Sequence, residues 1–165
     1  SKTAKAYYED GINLSMEQYQ VSATEYMKID EAPVVSHASD DVQNAPASIT
    51  NTVSVKWDDN DNSLTGKNFQ RIITQKWIAV FPNGNEGWAE VRRTDYPRYL
   101  LAPVNGNNSN GEVASGKLIK RINYPNSESR NPNKPGNVNQ GSRVWWDVTD
   151  TMNDRGQWHT PNNFR

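Results

Sequence analysis

The 165-residue sequence predicts a mainly α-helical fold with a long, loop-rich C-terminal region and at most short strands. Apolar and aromatic residues recur at helical spacing in residues 3–19 and 67–81. A further helix is expected after a Pro-Asn-Gly turn at residues 82–84. From Tyr96 onward Pro, Gly and Asn dominate, and these residues favour turns and loops over regular elements.

The composition limits both the size of the core and the class of partner. Hydrophobic residues make up only 34% of the chain, the mean hydropathy is −0.93, and about one residue in eight is Asn. We therefore expect a small core, or one shared with other structure. The formal net charge of −1 creates no overall field that would attract nucleic acid, so no nucleic-acid partner is predicted. The absence of cysteine excludes disulfides and thiolate metal sites.

Residues 1–30 are predicted to form a helical hairpin. The first helix, residues 3–19, carries a stripe of four residues at helical spacing: Tyr8, Ile12, Ser15 and Tyr19. Gly11 beside this stripe is suited to a site where another helix approaches closely. A short second helix is expected to begin in "SATEYMKI", where Ser22 and Glu25 have the spacing of a capping box.

Residues 31–66 are predicted to be a loop that contains one short strand, "TVSVKW". Trp57, Asp58, Asp59 and Asn60 are the candidate ligand-binding residues of this loop. A flat aromatic ring can lie against the apolar face of a sugar, while carboxylates and amides bind its hydroxyls. The alternative is that Trp57 fixes the loop onto the helices.

No metal site and no other cofactor are predicted. The acidic run that begins at Asp58 resembles a calcium-binding loop, but Ser63 and Phe69 stand where an EF-hand needs Gly and Glu. A Ca²⁺ site of another oxygen-ligand kind stays an alternative. His37 and His159 have no second ligand at metal spacing and are interpreted as surface residues.

Residues 67–95 are predicted to form a second helical hairpin. Its first helix has a wide apolar face made of Phe69, Ile72, Ile73, Trp77, Val80 and Phe81. Lys76 falls on that face, and a buried ammonium needs a partner. We expect an ion pair with Glu86 or Glu90 of the next helix, for which Asn85 is the predicted N-cap.

Seven residues around this turn are interpreted as the packing and ion-pair seam of the hairpin: Lys76, Trp77, Glu86, Trp88, Glu90, Arg92 and Arg93. The alternative is a glycosidase acid and base formed by Glu86 and Glu90. The neighbouring Lys and Arg side chains would keep both carboxylates ionised, which disfavours a general acid. No catalytic residue is predicted.

Residues 96–165 are predicted to be a loop-rich cap in which only "KLIKRINY" and "RVWWDV" have the character of short strands. Taken in order, "QKWIAVFPNGNEGWAEVRRTDYP", "IKRINYPNSESRNPN", "VWWD" and "PNNFR" resemble the C-terminal part of the SusD/RagB family. The N-terminal "AKAYYEDGINLSMEQY" resembles the helix that precedes this block in the family. Three features depart from the family pattern. Gly87 stands where Ala is more common, Asp95 stands where Gly often precedes Tyr-Pro, and "QGSRVWWD" lacks the Asp pair that is common upstream of Trp-Trp-Asp.

The resemblance implies a TPR-like scaffold of α-α hairpins, of which residues 1–165 would form a single C-terminal region. It also implies a non-catalytic lipoprotein on the extracellular face of the outer membrane, whose lipidated N-terminus belongs to an absent part. Such a protein would capture a glycan and deliver it to a SusC-like TonB-dependent transporter. Capture of peptide or another nutrient is the alternative, and a carbohydrate-active enzyme is the second alternative.

Overall fold

The computed structural model describes residues 2–34, 51–61, 63, 66–97, 109–114, 117–133, 136 and 138–144. These residues belong to two compact units, the first made of residues 2–34 and 51–97 and the second of residues 109–144. The predicted mainly α-helical fold is confirmed, and the described residues contain no strand. The elements are helices α1 (Ala4–Gln18), α2 (Lys67–Ala79) and α3 (Gly84–Thr94), and the 3₁₀ helices Tyr26–Lys28 and Asn126–Arg130.

Helix α1 begins at the N-cap Thr3, whose hydroxyl accepts a hydrogen bond from the Ala6 amide at 3.3 Å. Of the predicted stripe, Tyr8 and Ile12 are buried, whereas Tyr19 is 75% exposed. The buried pair forms the core of the first unit with Ala23 and Val55. The stripe is therefore used only over its first two turns.

The second helix predicted in residues 1–30 is reduced to one 3₁₀ turn, Tyr26–Lys28. Ser22 does not form the predicted capping box with Glu25, because its hydroxyl accepts from the Thr24 amide at 3.4 Å instead. The backbone then leaves the helical path, and the Ile29 carbonyl accepts from the Lys56 amide at 2.9 Å. A bond to a distant segment has thus replaced the continuation of the helix.

Two other sequence-based expectations in this unit are wrong. A Cβ atom added to Gly11 would meet nothing within 4 Å, so no described helix approaches α1 closely there. The "TVSVKW" segment bends at residues 55–56 and does not pair as a strand, since its backbone bond to Ile29 is isolated. The segment is buried through Val53, Ser54 and Val55, which pack beneath the helices.

The buried face of α2 is more polar than its apolar pattern predicts. Ile73 is buried, but Phe81 lies beyond the end of the helix and is 85% exposed. The other buried side chains of α2 are Asn68, Arg71 and Thr74. Two of these, Asn68 and Arg71, hydrogen-bond the backbone of the preceding loop, so burial follows hydrogen bonding rather than hydropathy.

Helix α3 begins one turn after α2 ends. Its N-cap is Asn83 rather than the predicted Asn85, because the Asn83 Oδ1 atom accepts from the Glu86 amide at 3.2 Å. The helix ends at Asp95, which has the left-handed conformation with φ 68°. Val91 of this helix is completely buried.

The second unit contains the 3₁₀ helix Asn126–Arg130 and otherwise irregular backbone. Two hydrogen bonds hold Gln140 in place. Its backbone amide donates to the Glu112 carboxylate at 3.2 Å, and its carbonyl accepts from the Lys120 backbone amide at 2.8 Å. The "KLIKRINY" segment forms no strand. Residues 145–148 of "RVWWDV", His37, His159 and the "PNNFR" motif lie outside the described residues. In the described part of the chain, every helix is too short or too polar to cross a membrane.

Candidate functional site

The loop that carries the predicted ligand-binding residues is fixed to the start of α2. The Asn68 side chain donates to the Asp58 carbonyl at 2.7 Å and to the Asp61 carbonyl at 3.2 Å. The Asn68 Oδ1 atom accepts from the Asp58 backbone amide at 3.1 Å, and the backbone amide of Asn68 donates to the Asp61 carboxylate at 2.6 Å. Asn68 is only 4% exposed. The loop is therefore held in one conformation before any ligand arrives.

The Trp57 ring lies against the core of the first unit. Its centroid is 5.4 Å from that of Tyr8, with the two planes inclined at 47°. Tyr8 is itself fixed, since its hydroxyl donates to the Val55 carbonyl at 2.6 Å. The ring is half-buried, so it secures the loop to α1 and also keeps part of its surface accessible.

The polar groups of the loop have different degrees of freedom. The Asp58 carboxylate is occupied by the Asn60 amide, at 2.9 Å. Asp59 pairs with Lys5 of α1 at 3.1 Å, and their side chains are 71% and 40% exposed. Asn60 is exposed. The structure thus places one half-buried aromatic ring, one half-buried and one exposed carboxylate, and one exposed amide side chain along a single short loop.

The predicted ion pair joins α2 to α3. Lys76 Nζ lies 2.7 Å from Glu90 Oε1, and Arg93 Nη2 lies 2.6 Å from Glu90 Oε2. The Glu90 side chain is 8% exposed and that of Lys76 is 45% exposed. The buried member is therefore the carboxylate and not, as expected, the ammonium. Arg93 completes the arrangement from the next turn of the same helix.

The surroundings of Glu90 fix its protonation state. Burial raises the pKa of this carboxyl, but the hydrogen bonds and charges of Arg93 and Lys76 outweigh burial and lower the pKa overall. Glu90 is therefore ionised at neutral pH and both of its oxygens are engaged. Such a group is poorly suited to donate a proton. Glu86, its suggested partner in the glycosidase alternative, is exposed at the start of α3.

The two tryptophans of the hairpin have different surroundings. Trp77 of α2 faces Gly87 of α3, where an added Cβ would lie 3.2 Å from the indole Nε1. Trp88 is half-buried and has the Arg92 guanidinium 5.6 Å from its ring centroid. A small residue at position 87 is what allows the indole of Trp77 to pack against the helix backbone.

A groove of about 250 Å³ between α1 and α2 is absent from the sequence-based interpretation. Tyr7, Met16, Ile72 and Ile78 are among the residues that line it. Tyr7 and Ile78 are 64% and 48% exposed, so the groove is bordered by apolar surface. Gly11 also lies in its wall.

Three polar residues that organise the first unit were not predicted from the sequence. Asn68, Arg71 and Thr74 are spaced three residues apart and lie on one face of α2. Arg71 donates from Nε and Nη2 to the carbonyl and hydroxyl of Ser54, both at 3.2 Å. The regular spacing of polar residues inside an apolar pattern was the available signal.

Comparison with known proteins identifies a protein family and a similar solved structure. The profile of the SusD-like family, described as SusD and RagB outer membrane lipoproteins, matches residues 1–158. Among solved structures, the chain is similar to a SusD homolog from Bacteroides thetaiotaomicron VPI-5482, with 34% sequence identity and a TM-score of 0.70. The similarity covers 89% of this chain and 34% of that one, so the chain spans about a third of the length of this relative. A comparison with curated proteins gave no match.

Proposed function

The chain belongs to the SusD-like family of outer-membrane lipoproteins, and on that premise we propose that its parent protein captures a glycan at the cell surface and delivers it to a SusC-like TonB-dependent transporter. The family match over residues 1–158 carries the proposal. The resemblance of the sequence motifs to the C-terminal part of the family supports placing residues 1–165 in the C-terminal region of the parent. The chain spans about a third of the length of the matched relative.

The loop at residues 57–60 is the proposed glycan contact within this chain. A half-buried Trp57, braced by Tyr8 and held by the Asn68 hydrogen bonds, offers a fixed apolar surface to a sugar ring. The exposed Asp59 and Asn60 side chains would accept and donate hydrogen bonds to hydroxyls. Because the loop is already ordered, binding would require little loss of backbone entropy.

The proposed function is binding without catalysis. The support from this chain is the state of Glu90, a buried carboxylate engaged by Lys76 and Arg93 and therefore unsuited to act as a general acid. Capture in this family would end when the transporter takes the ligand, and that step requires a conformational change rather than bond cleavage.

A glycan array probed with the intact protein tests the proposal, followed by calorimetry on the best ligand. Trp57→Ala should weaken binding roughly tenfold or more, since truncation of a central aromatic contact commonly costs that much affinity. Trp88→Ala is the matched control, because it removes a half-buried indole from the α2–α3 hairpin and leaves the loop untouched. The control should retain the affinity of the wild type.

Three outcomes would contradict parts of the proposal. Release of shorter saccharides during prolonged incubation would favour the carbohydrate-active enzyme. Binding of peptides without glycans would assign the scaffold to another nutrient. Equal loss of affinity in Trp57→Ala and Trp88→Ala would show that the loop is not the contact.

Co-purification of the membrane-extracted protein with a TonB-dependent transporter tests the partner, and recovery of the protein alone would argue against delivery by that route.

A further inference from the structure

A cavity of about 280 Å³ lies between α2 and residues 53–55. Its walls are mainly apolar and include Ile29, Val53, Val55 and Ile78. We propose that this cavity is a binding site for a small monocarboxylate with an apolar body, whose carboxylate is held by Arg71 and Thr74. The site is separate from the proposed glycan contact and does not depend on it.

Arg71 provides the positive charge of the site. It is 6% exposed, yet its hydrogen bonds go to the Ser54 carbonyl and hydroxyl and, at 2.9 Å, to the Asn68 side-chain oxygen. All three acceptors are neutral, and no carboxylate among the described residues forms an ion pair with Arg71. A buried cation with only neutral partners is costly, and an anion beside it reduces that cost.

The guanidinium still has donors to offer. It carries five N–H groups, and the three bonds in the structure leave two of them for a ligand. The planar arrangement of these donors matches the two oxygens of a carboxylate better than it matches a single acceptor. The bonds to Ser54 and Asn68 fix the plane of the group in advance, so little entropy would be lost on binding.

Thr74 provides a second donor at the same site. Its hydroxyl is buried and has no hydrogen-bond partner within the described part of the chain. Thr74 lies three residues after Arg71 and therefore on the same face of α2. Both side chains line the cavity. A carboxylate oxygen could accept hydrogen bonds from both the Thr74 hydroxyl and the Arg71 guanidinium. A water molecule could also accept these bonds, but it would not neutralise the charge of Arg71.

The remaining walls select the kind of anion. Gln75 also lines the cavity, but its amide already exchanges hydrogen bonds with the Tyr26 hydroxyl at 2.9 and 3.1 Å. The polar lining therefore offers one cation, Arg71, together with the hydroxyls of Thr74 and of Ser54, the latter already accepting from Arg71, and a single cation suits a single negative charge better than a phosphate dianion. The apolar walls favour an aliphatic or aromatic body, and a volume below that of typical drug-sized pockets favours a small one.

Calorimetric titration of the intact protein with sodium hexanoate tests the site, with hexan-1-ol as the probe that has the same chain but no charge. Hexanoate should bind saturably and roughly tenfold or more tightly than hexan-1-ol, because bonds between ionised groups are the stronger ones. Thr74→Val should weaken hexanoate binding severalfold and hexan-1-ol binding less, because a hydrogen bond to an ionised acceptor is stronger than one to an alcohol oxygen. Thr24→Val, a change at an exposed threonine outside the cavity, is the matched control and should leave both affinities unchanged.

Arg71→Gln should abolish the preference for the anion, but this variant also loses bonds to Ser54 and is interpreted only if circular dichroism shows an intact fold. A crystal structure of the wild type with 6-bromohexanoate provides a measurement that needs no variant. Anomalous bromine signal in the cavity, with the carboxylate at Arg71, is the expected result. Equal affinity for hexanoate and hexan-1-ol, or a cavity without bromine at saturating probe, would overturn the proposal whatever the glycan experiments show.

Discussion

Replacing Glu90 by Gln should destabilise the protein at neutral pH by about 1–2 kcal/mol. Two charge-assisted bonds, at 2.7 Å to Lys76 and 2.6 Å to Arg93, end on this 8% exposed side chain. Bonds to buried charged groups contribute about 1.5–3 kcal/mol. Exposed ion pairs contribute about 0–1 kcal/mol, and the two cations are 45% and 57% exposed, so solvent screening places the expected loss between these limits.

The loss should depend on pH in a defined direction. The folded protein lowers the pKa of Glu90, so the stabilisation is fully present above the unfolded pKa of about 4.3 and disappears as pH falls through the folded value. A protonated carboxyl resembles the amide of Gln in shape and charge. The wild type and Glu90→Gln should therefore have different free energies of unfolding at pH 7, and the difference should be smaller at pH 3, which lies below the unfolded pKa.

Urea unfolding followed by tryptophan fluorescence at the two pH values measures this difference. Glu86→Gln is the matched control, since it makes the same chemical change on the same helix at an exposed position. It should have a small effect at pH 7. In a double-mutant cycle, Glu90→Gln should cost less stability when Lys76 is already replaced by Met, because the interaction between the two side chains is then absent. The reasoning is refuted if Glu90→Gln behaves like Glu86→Gln at pH 7, or if its effect is the same at pH 3.

Three further results are expected from the same unfolding measurement. Asp95→Ala should be less stable than Asp95→Gly by about 1 kcal/mol, because position 95 has φ 68° and both variants remove the carboxylate; equal stabilities would contradict this. Gly87→Val should cost about 1–3 kcal/mol by crowding Trp77, whereas Gly87→Ala should be close to neutral, since improved helix propensity offsets a 3.2 Å contact. Asn68→Ala should cost about 2–3 kcal/mol, because the Asp58 amide and the Arg71 guanidinium lose the side-chain oxygen to which they donate. Limited proteolysis should then cleave near residue 58. An unchanged cleavage pattern would argue against this role.

Hydropathy and spacing were sufficient for the helices but not for their buried faces. The expected apolar face of α2 included Phe81, which is 85% exposed, while Arg71 and Asn68 are buried. A period of apolar residues reports which side of a helix is suited to a core. It does not report where the backbone of residues 54–61 will present carbonyls, and those carbonyls decide which polar side chains are buried.

The same limit applies to the caps. Asn83 and Asn85 are equally plausible N-caps by residue type, and Ser22 with Glu25 has the spacing of a capping box. The geometry of the turn after α2 selects Asn83. The bond between Ile29 and Lys56 takes the chain away from a helix after Tyr26–Lys28. Both choices depend on contacts between segments that are distant in sequence or on the path of the backbone.

By itself the sequence determined the helical class, the turn between α2 and α3, the partnership of Lys76 with Glu86 or Glu90, and the family to which the chain belongs. These follow from local spacing and from the order of motifs along the chain. Only the tertiary structure decided that Glu90 is the partner, that the carboxylate is the buried member, and that Arg71 and Thr74 line a cavity. The physical reason is that burial of a charge is set by which distant groups can satisfy it.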